Sequence, residues 1–131
     1  MLSSTSDYAL RAILFLARHQ GTARRADEIA RATGAPRNYM AKTLNALGKA
    51  GIVTSARGPL GGFTLAYSPA SLTIARVIDC FDEPRPQRRC LLGASPCDPT
   101  NPCRAHGRWT AINEARRTSL SSTTVADLLA G

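Results

Sequence analysis

With 131 residues, 44% of them hydrophobic, the chain is one domain or one domain with an appended arm, and it can fold without disulfide staples. Its formal charge is +8, from 17 Lys and Arg against 9 Asp and Glu, and the excess is uneven: residues 1–70 hold nine basic and three acidic side chains. That balance points to a polyanion as partner, while the apolar run 12–17, bracketed by Arg11 and Arg18, is too short to span a bilayer or act as a secretory signal.

The first predicted helix covers residues 6–19, with Ala9, Ala12, Ile13 and Leu16 at helical spacing. Thr5 or Ser6 is its expected cap, and Asp7 falls in its first turn. A polar break over 20–25 follows. A second short helix is expected over 26–33, with Ile29 and Ala30 inward and Gly34 as its terminator. Pro36 stands where a third helix begins. Met40, Leu44 and Leu47 face inward on it, and Arg37, Asn38, Lys42 and Asn45 take the opposite side.

Two short helices joined by a tight glycine-containing turn make a helix–turn–helix. A strand over 52–57, a turn at Gly58-Pro59-Leu60-Gly61-Gly62 and a return strand with Phe63, Leu65 and Tyr67 form a hairpin behind it. A basic hairpin after a recognition helix is the layout of a winged helix. Arg57 sits at the wing, where it reaches phosphate or the minor groove, and Gly58, Gly61 and Gly62 are expected to let the backbone approach DNA closely. A fourth helix is predicted over 72–81 and a last long one over 103–120, anchored by Trp109 and Ile112. The apolar face of that last helix is thin, as in a helix that packs on a partner subunit. The tail, 123–129, forms a further turn or two.

Between the fourth and last helices lies a stretch with five prolines and no periodicity. A loop that long inside a compact domain is usually functional or disordered. It carries Cys90, Cys97 and Cys103, six residues separating the first pair and five the second. Structural zinc sites pair their cysteines more closely. Iron–sulfur clusters are thiolate sites with looser spacing, and they need a fourth ligand. Cys80 reads as a small buried residue of the fourth helix. His106, three residues after Cys103, projects from the same side of a helix. Asp7 is the other candidate, although a carboxylate there also suits the helix dipole. In a cytoplasmic setting, which the chain is expected to occupy, these thiols are reduced or ligating.

The chain resembles the bacterial winged-helix regulators that carry iron–sulfur clusters, of the IscR and NsrR type. The resemblance rests on Asp7-Tyr8-Ala9-Leu10-Arg11, Arg37-Asn38-Tyr39-Met40, Ala50-Gly51-Ile52-Val53, Ser55-Ala56-Arg57-Gly58-Pro59, Gly61-Gly62-Phe63, the three cysteines, and Thr124-Val125-Ala126-Asp127-Leu128-Leu129. It implies a homodimer joined through the C-terminal helix, with a cluster near the interface held by Cys90, Cys97 and Cys103. His106 and Trp109 stand as in IscR-type members, which hold a two-iron cluster. Asp7 stands as in NsrR-type members, where the partner's aspartate completes a four-iron cluster. The resemblance therefore leaves the cluster type open.

The expected fold is mainly α with a small β-hairpin wing: a winged helix–turn–helix over 1–70, then a cluster-binding loop and dimerisation helix over 71–131. The expected function is a cluster-dependent transcriptional repressor, not an enzyme. Its partner is double-stranded DNA with a roughly palindromic site, and no membrane is involved. Arg37, Asn38, Tyr39, Lys42, Asn45, Arg57 and the wing glycines are the expected DNA contacts. A cluster-free thiol or zinc regulator of the same fold is the first alternative, and a small electron-transfer iron–sulfur protein the second.

Overall fold

The Ser3 side chain accepts from the Ser6 N–H at 3.1 Å and so starts the first helix, α1, at Ser4–Arg18. The cap lies ahead of the predicted Thr5 or Ser6. Ser6 is fully buried and spends its hydroxyl elsewhere, so it cannot serve as the end residue. The structure, a computed structural model, describes residues 3–82 and 106–130, with side chains described for 3–82 and 111–130.

After α1 come α2 (Ala26–Thr33) and α3 (Arg37–Lys49). Gly34 ends α2 in the left-handed region at φ 76°, as a C-terminal glycine should. Pro36 occupies the cap of α3, one position ahead of the helix, where it was expected at the first helical position. The hairpin is β1 (Val53–Ala56) and β2 (Gly62–Leu65), antiparallel, with Val53 opposite Leu65 and Ala56 opposite Gly62. Both strands are shorter than predicted, and Tyr67 lies beyond the ladder.

The hairpin is not alone. Arg24 pairs with Phe63 as an isolated antiparallel bridge: the Arg24 N–H donates to the Phe63 carbonyl at 3.0 Å, and the Phe63 N–H to the Arg24 carbonyl at 2.7 Å. The stretch ahead of α2 thus docks on β2.

The fourth helix, α4, is Ile74–Ile78, shorter than predicted at both ends. Thr73 caps it, accepting from the Arg76 N–H, and also pairs with Thr124. Leu72, where this helix was expected to begin, is buried but lies ahead of it, and its carbonyl accepts the Val125 N–H at 2.9 Å. α5 is His106–Ser122 and α6 is Val125–Ala130. Thr124 and Asp127 bond each other's backbone N–H, a reciprocal cap that fixes the start of α6.

One core joins these elements. It contains Ala9, Ala12, Ile13 and Leu16 of α1, Ile29 of α2, Met40, Leu44 and Leu47 of α3, and Ile52, Leu72, Val77 and Val125. The predicted inward faces of the first three helices are the observed ones. α5 differs: no described side chain on it is buried, and Ile112 is 56% exposed. Among the described residues no helix is long and apolar enough to cross a membrane.

Candidate nucleic-acid interface

Gly34, Ala35 and Pro36 make the turn between α2 and α3, closed by the Ala35 N–H donating to the Ala30 carbonyl at 3.1 Å. With Met40, Thr43, Leu44 and Leu47 turned inward, the other side of α3 is free. Arg37, Asn38, Tyr39, Lys42 and Asn45 are all exposed on it. Helical spacing alone locates these residues, because burying one stripe forces the complementary stripe into solvent.

Two of the five have partners. Arg37 Nε lies 3.1 Å from Asp27 Oδ1 of α2, an ion pair that holds the guanidinium at the mouth of the helix–turn–helix. Both side chains are largely exposed, so the pair orients Arg37 more than it stabilises the fold. Tyr39 faces α1 as well as solvent. Its hydroxyl bonds the Thr5 hydroxyl, and its ring meets Tyr8 edge-on, 5.6 Å between centroids at 72°.

In the wing, Arg57 is exposed and Gly58 has φ 103° with open space where a Cβ would stand. Gly61 and Gly62 have an internal reason to be glycine. A Cβ on Gly61 would lie 2.3 Å from the Ala56 carbonyl oxygen, and one on Gly62 would lie 2.5 Å from that of Arg24. The close approach they allow is to the chain's own backbone. The tip also carries Leu60, 93% exposed, which composition and periodicity do not single out. Neither do they single out Arg25, which donates to the Gly58 and Pro59 carbonyls at 3.2 and 3.1 Å. The only sequence signal for Arg25 is a pair of arginines inside a polar break.

Cys90, Cys97 and Cys103 lie outside the described residues. His106 opens α5, and its side chain is not among those described. Asp7 sits in the first turn of α1, half exposed, gripped by Arg11 four residues on, with Nε and Nη2 each 3.1 Å from a carboxylate oxygen. Cys80 is a poor fourth ligand. Burial and the neighbouring Asp79 push its thiol pKa up, against a smaller opposing effect of Arg76, and the thiol donates to the Arg76 carbonyl at 3.4 Å. The remaining donors, three thiols with a histidine or a carboxylate, suit an iron–sulfur cluster chemically.

Asp82, four residues after α4, lies against the start of α1. Asp82 Oδ2 accepts from the Ser3 N–H at 3.1 Å and from the buried Ser6 hydroxyl at 2.7 Å. Desolvation works against the Asp82 carboxylate, but these hydrogen bonds and the charge of Arg116 outweigh it and lower its pKa. A lowered pKa stabilises the fold above the ordinary carboxylate range, and the gain is lost as pH falls through the folded value. Asp82→Ala should therefore cost about 1–3 kcal/mol at neutral pH by stranding the Ser6 hydroxyl. Thermal unfolding across acid pH checks this: the gap between wild type and variant should narrow below about pH 4, and a gap independent of pH would refute it.

A basic helix–turn–helix with an exposed reading face and an arginine-bearing wing defines a winged-helix DNA-binding transcriptional regulator. The chain belongs to the Rrf2 family, whose model, described as an iron-dependent transcriptional regulator, matches residues 2–131. The family is one of regulators, not enzymes. The chain is 32% identical over 130 residues to the HTH-type transcriptional regulator IscR of Yersinia pestis, covering 98% of this chain and 78% of that one. Among solved structures it is similar to CymR, the global cysteine regulator of B. subtilis, with 26% identity, TM-score 0.80 and coverage of 98% and 95%. It is also similar to T. potens IscR, with 27% identity, TM-score 0.77 and coverage of 98% and 85%. These likenesses agree with the expected fold, mainly helical with a two-stranded wing.

Proposed function

We propose that this Rrf2-family regulator is an iron–sulfur-cluster-dependent repressor of the cytoplasm, acting as a homodimer on a roughly palindromic operator. Residues 1–70 read DNA, and residues 71–131 hold the cluster and the partner. The observation that carries the reading is the exposed face of α3, with Arg37, Asn38, Lys42 and Asn45, beside an exposed Arg57 in a chain that also bears three clustered cysteines. The exposed length of α5, including Ile112, supports the homodimer. Two such subunits would present two α3 helices to successive major grooves.

Cys90, Cys97 and Cys103 would hold the cluster, with His106 or the aspartate at position 7 of a second copy as fourth ligand, so a two-iron and a four-iron cluster both remain in play. When bound, the cluster supplies a centre that nitric oxide, oxygen or iron loss can damage. The residues of α1 give such a change a route to DNA. Ser3 and Ser6 grip Asp82, where the cysteine segment departs, while Thr5 and Tyr8 touch Tyr39 of α3. A change in the segment would bear on α1, and α1 bears on the reading helix.

The likeness to CymR favours a second reading, a cluster-free thiol- or zinc-dependent regulator of the same fold. Iron and sulfide counts on protein purified without oxygen separate the two. Footprinting tests the DNA half. Lys42→Ala should weaken binding on every sequence and flatten its salt dependence by about one unit of log–log slope. Asn38→Ala or Asn45→Ala should instead relax preference at single base pairs, by about 1–3 kcal/mol each. If all three leave the footprint unchanged, α3 is not the reader.

A further inference from the structure

Position 25 is the N-cap of α2, where an oxygen-bearing side chain would accept a free amide of the first turn. Arg25 has no acceptor and makes no cap bond. Its guanidinium crosses instead to the wing tip, where Nη2 donates to both the Gly58 and Pro59 carbonyls. The Gly58 carbonyl also accepts the Gly61 N–H at 2.9 Å, which closes the turn. One residue back, the Arg24 backbone is bonded to Phe63 in β2. Two consecutive residues therefore fix the wing at two levels, its return strand through a backbone and its tip through a side chain.

Nothing in folding demands an arginine here. Exposed turn carbonyls bond water equally well, and a serine would cap α2 better. The cap position has been given up for a contact whose one effect is to set where the tip points. Arg57 stands next to Gly58 on that tip.

We infer that Arg25 is a wing-positioning residue: it holds the tip, and Arg57 with it, in the orientation that meets DNA, and does not itself touch DNA. The inference rests on the DNA-binding reading above. It identifies the segment ahead of α2 as the determinant of wing-dependent affinity.

The test is Arg25→Ser, which supplies the missing cap acceptor. Its thermal midpoint should equal or exceed that of wild type, so a loss of binding cannot be ascribed to unfolding. The Gly61 amide should exchange with solvent faster. Operator affinity should fall about five- to tenfold, the worth of one phosphate contact at physiological salt. In an Arg57→Ala background the same substitution should cause no further loss, since the contact it positions is already gone. Losses that multiply would mean that Arg25 reaches phosphate itself, and would overturn the inference. Unchanged Gly61 exchange would overturn it as well. A wild type that protects no DNA would instead sink the DNA-binding reading, and the two failures are told apart because a failed clamp leaves wild-type binding intact.

Discussion

Cys97→Ala protein isolated without oxygen should be nearly colourless and almost free of iron and sulfide, where the wild type should be brown. The cysteine is the middle one of three in a proline-rich stretch, and with it gone two thiolates and a weaker donor are left for a cluster that takes four ligands. A colourless wild type that binds zinc stoichiometrically would sink the cluster reading and favour its cluster-free rival. The same spectra divide the fourth-ligand candidates. A changed absorption and magnetic spectrum in His106→Ala, with Asp7→Ala unchanged, assigns the histidine and a two-iron cluster; the opposite pattern assigns the aspartate and a four-iron cluster. Asp7 is free to move to that duty, because an exposed i,i+4 pair such as the one with Arg11 contributes only about 0.3–0.5 kcal/mol.

Gly62→Ala should be among the most damaging glycine-to-alanine changes in the DNA-binding half. The new Cβ would fall 2.5 Å from the Arg24 carbonyl oxygen and 2.6 Å from its carbon, at a backbone φ of 144°. Neither atom is the end of a flexible side chain, so relief requires the stretch ahead of α2 to leave β2 and break both Arg24–Phe63 bonds. A loss of about 3 kcal/mol is expected, from strain and overpacking together. That corresponds to a fall of about 10 °C in thermal midpoint for a domain of this size. Gly58→Ala is the control: it shares a positive φ but has open space around it, and should cost about 1 kcal/mol. Equal effects at the two positions would show that the wing is not docked through residue 24.

Helical periodicity located the inner faces of α1, α2 and α3, and therefore the outer face of α3, because those stripes repeat over enough turns to be read. It failed where burial and conformation part company. Leu72 is as buried as any core residue, yet it lies outside the helix, with its carbonyl bonded to Val125 and its neighbour Thr73 paired with Thr124. A buried leucine two residues before a buried isoleucine looks helical in a single sequence. The wing glycines show a second limit. Their presence is visible in the sequence, but the neighbour that demands Gly62, Arg24, is far away in sequence and identifiable only in three dimensions. Arg25 was missed for the same reason. Tyr39 was assigned to DNA from its side of the helix, and its bonds to Thr5 and Tyr8 depend on how α1 crosses α3. The positions of the three cysteines could be counted, but the arrangement of their side chains is not written in their spacing.

The attachment of Asp82 to α1 also bounds how strongly such a regulator responds. Two hydrogen bonds to one carboxylate join the cysteine segment to the first turn of α1. Whatever free energy the segment gains on changing state, the share delivered through this joint cannot exceed what breaking it costs, about 1–3 kcal/mol. In affinity that is a range of roughly 5- to 150-fold. Output through this route would therefore be graded, with appreciable basal occupancy of the operator at one end and incomplete repression at the other.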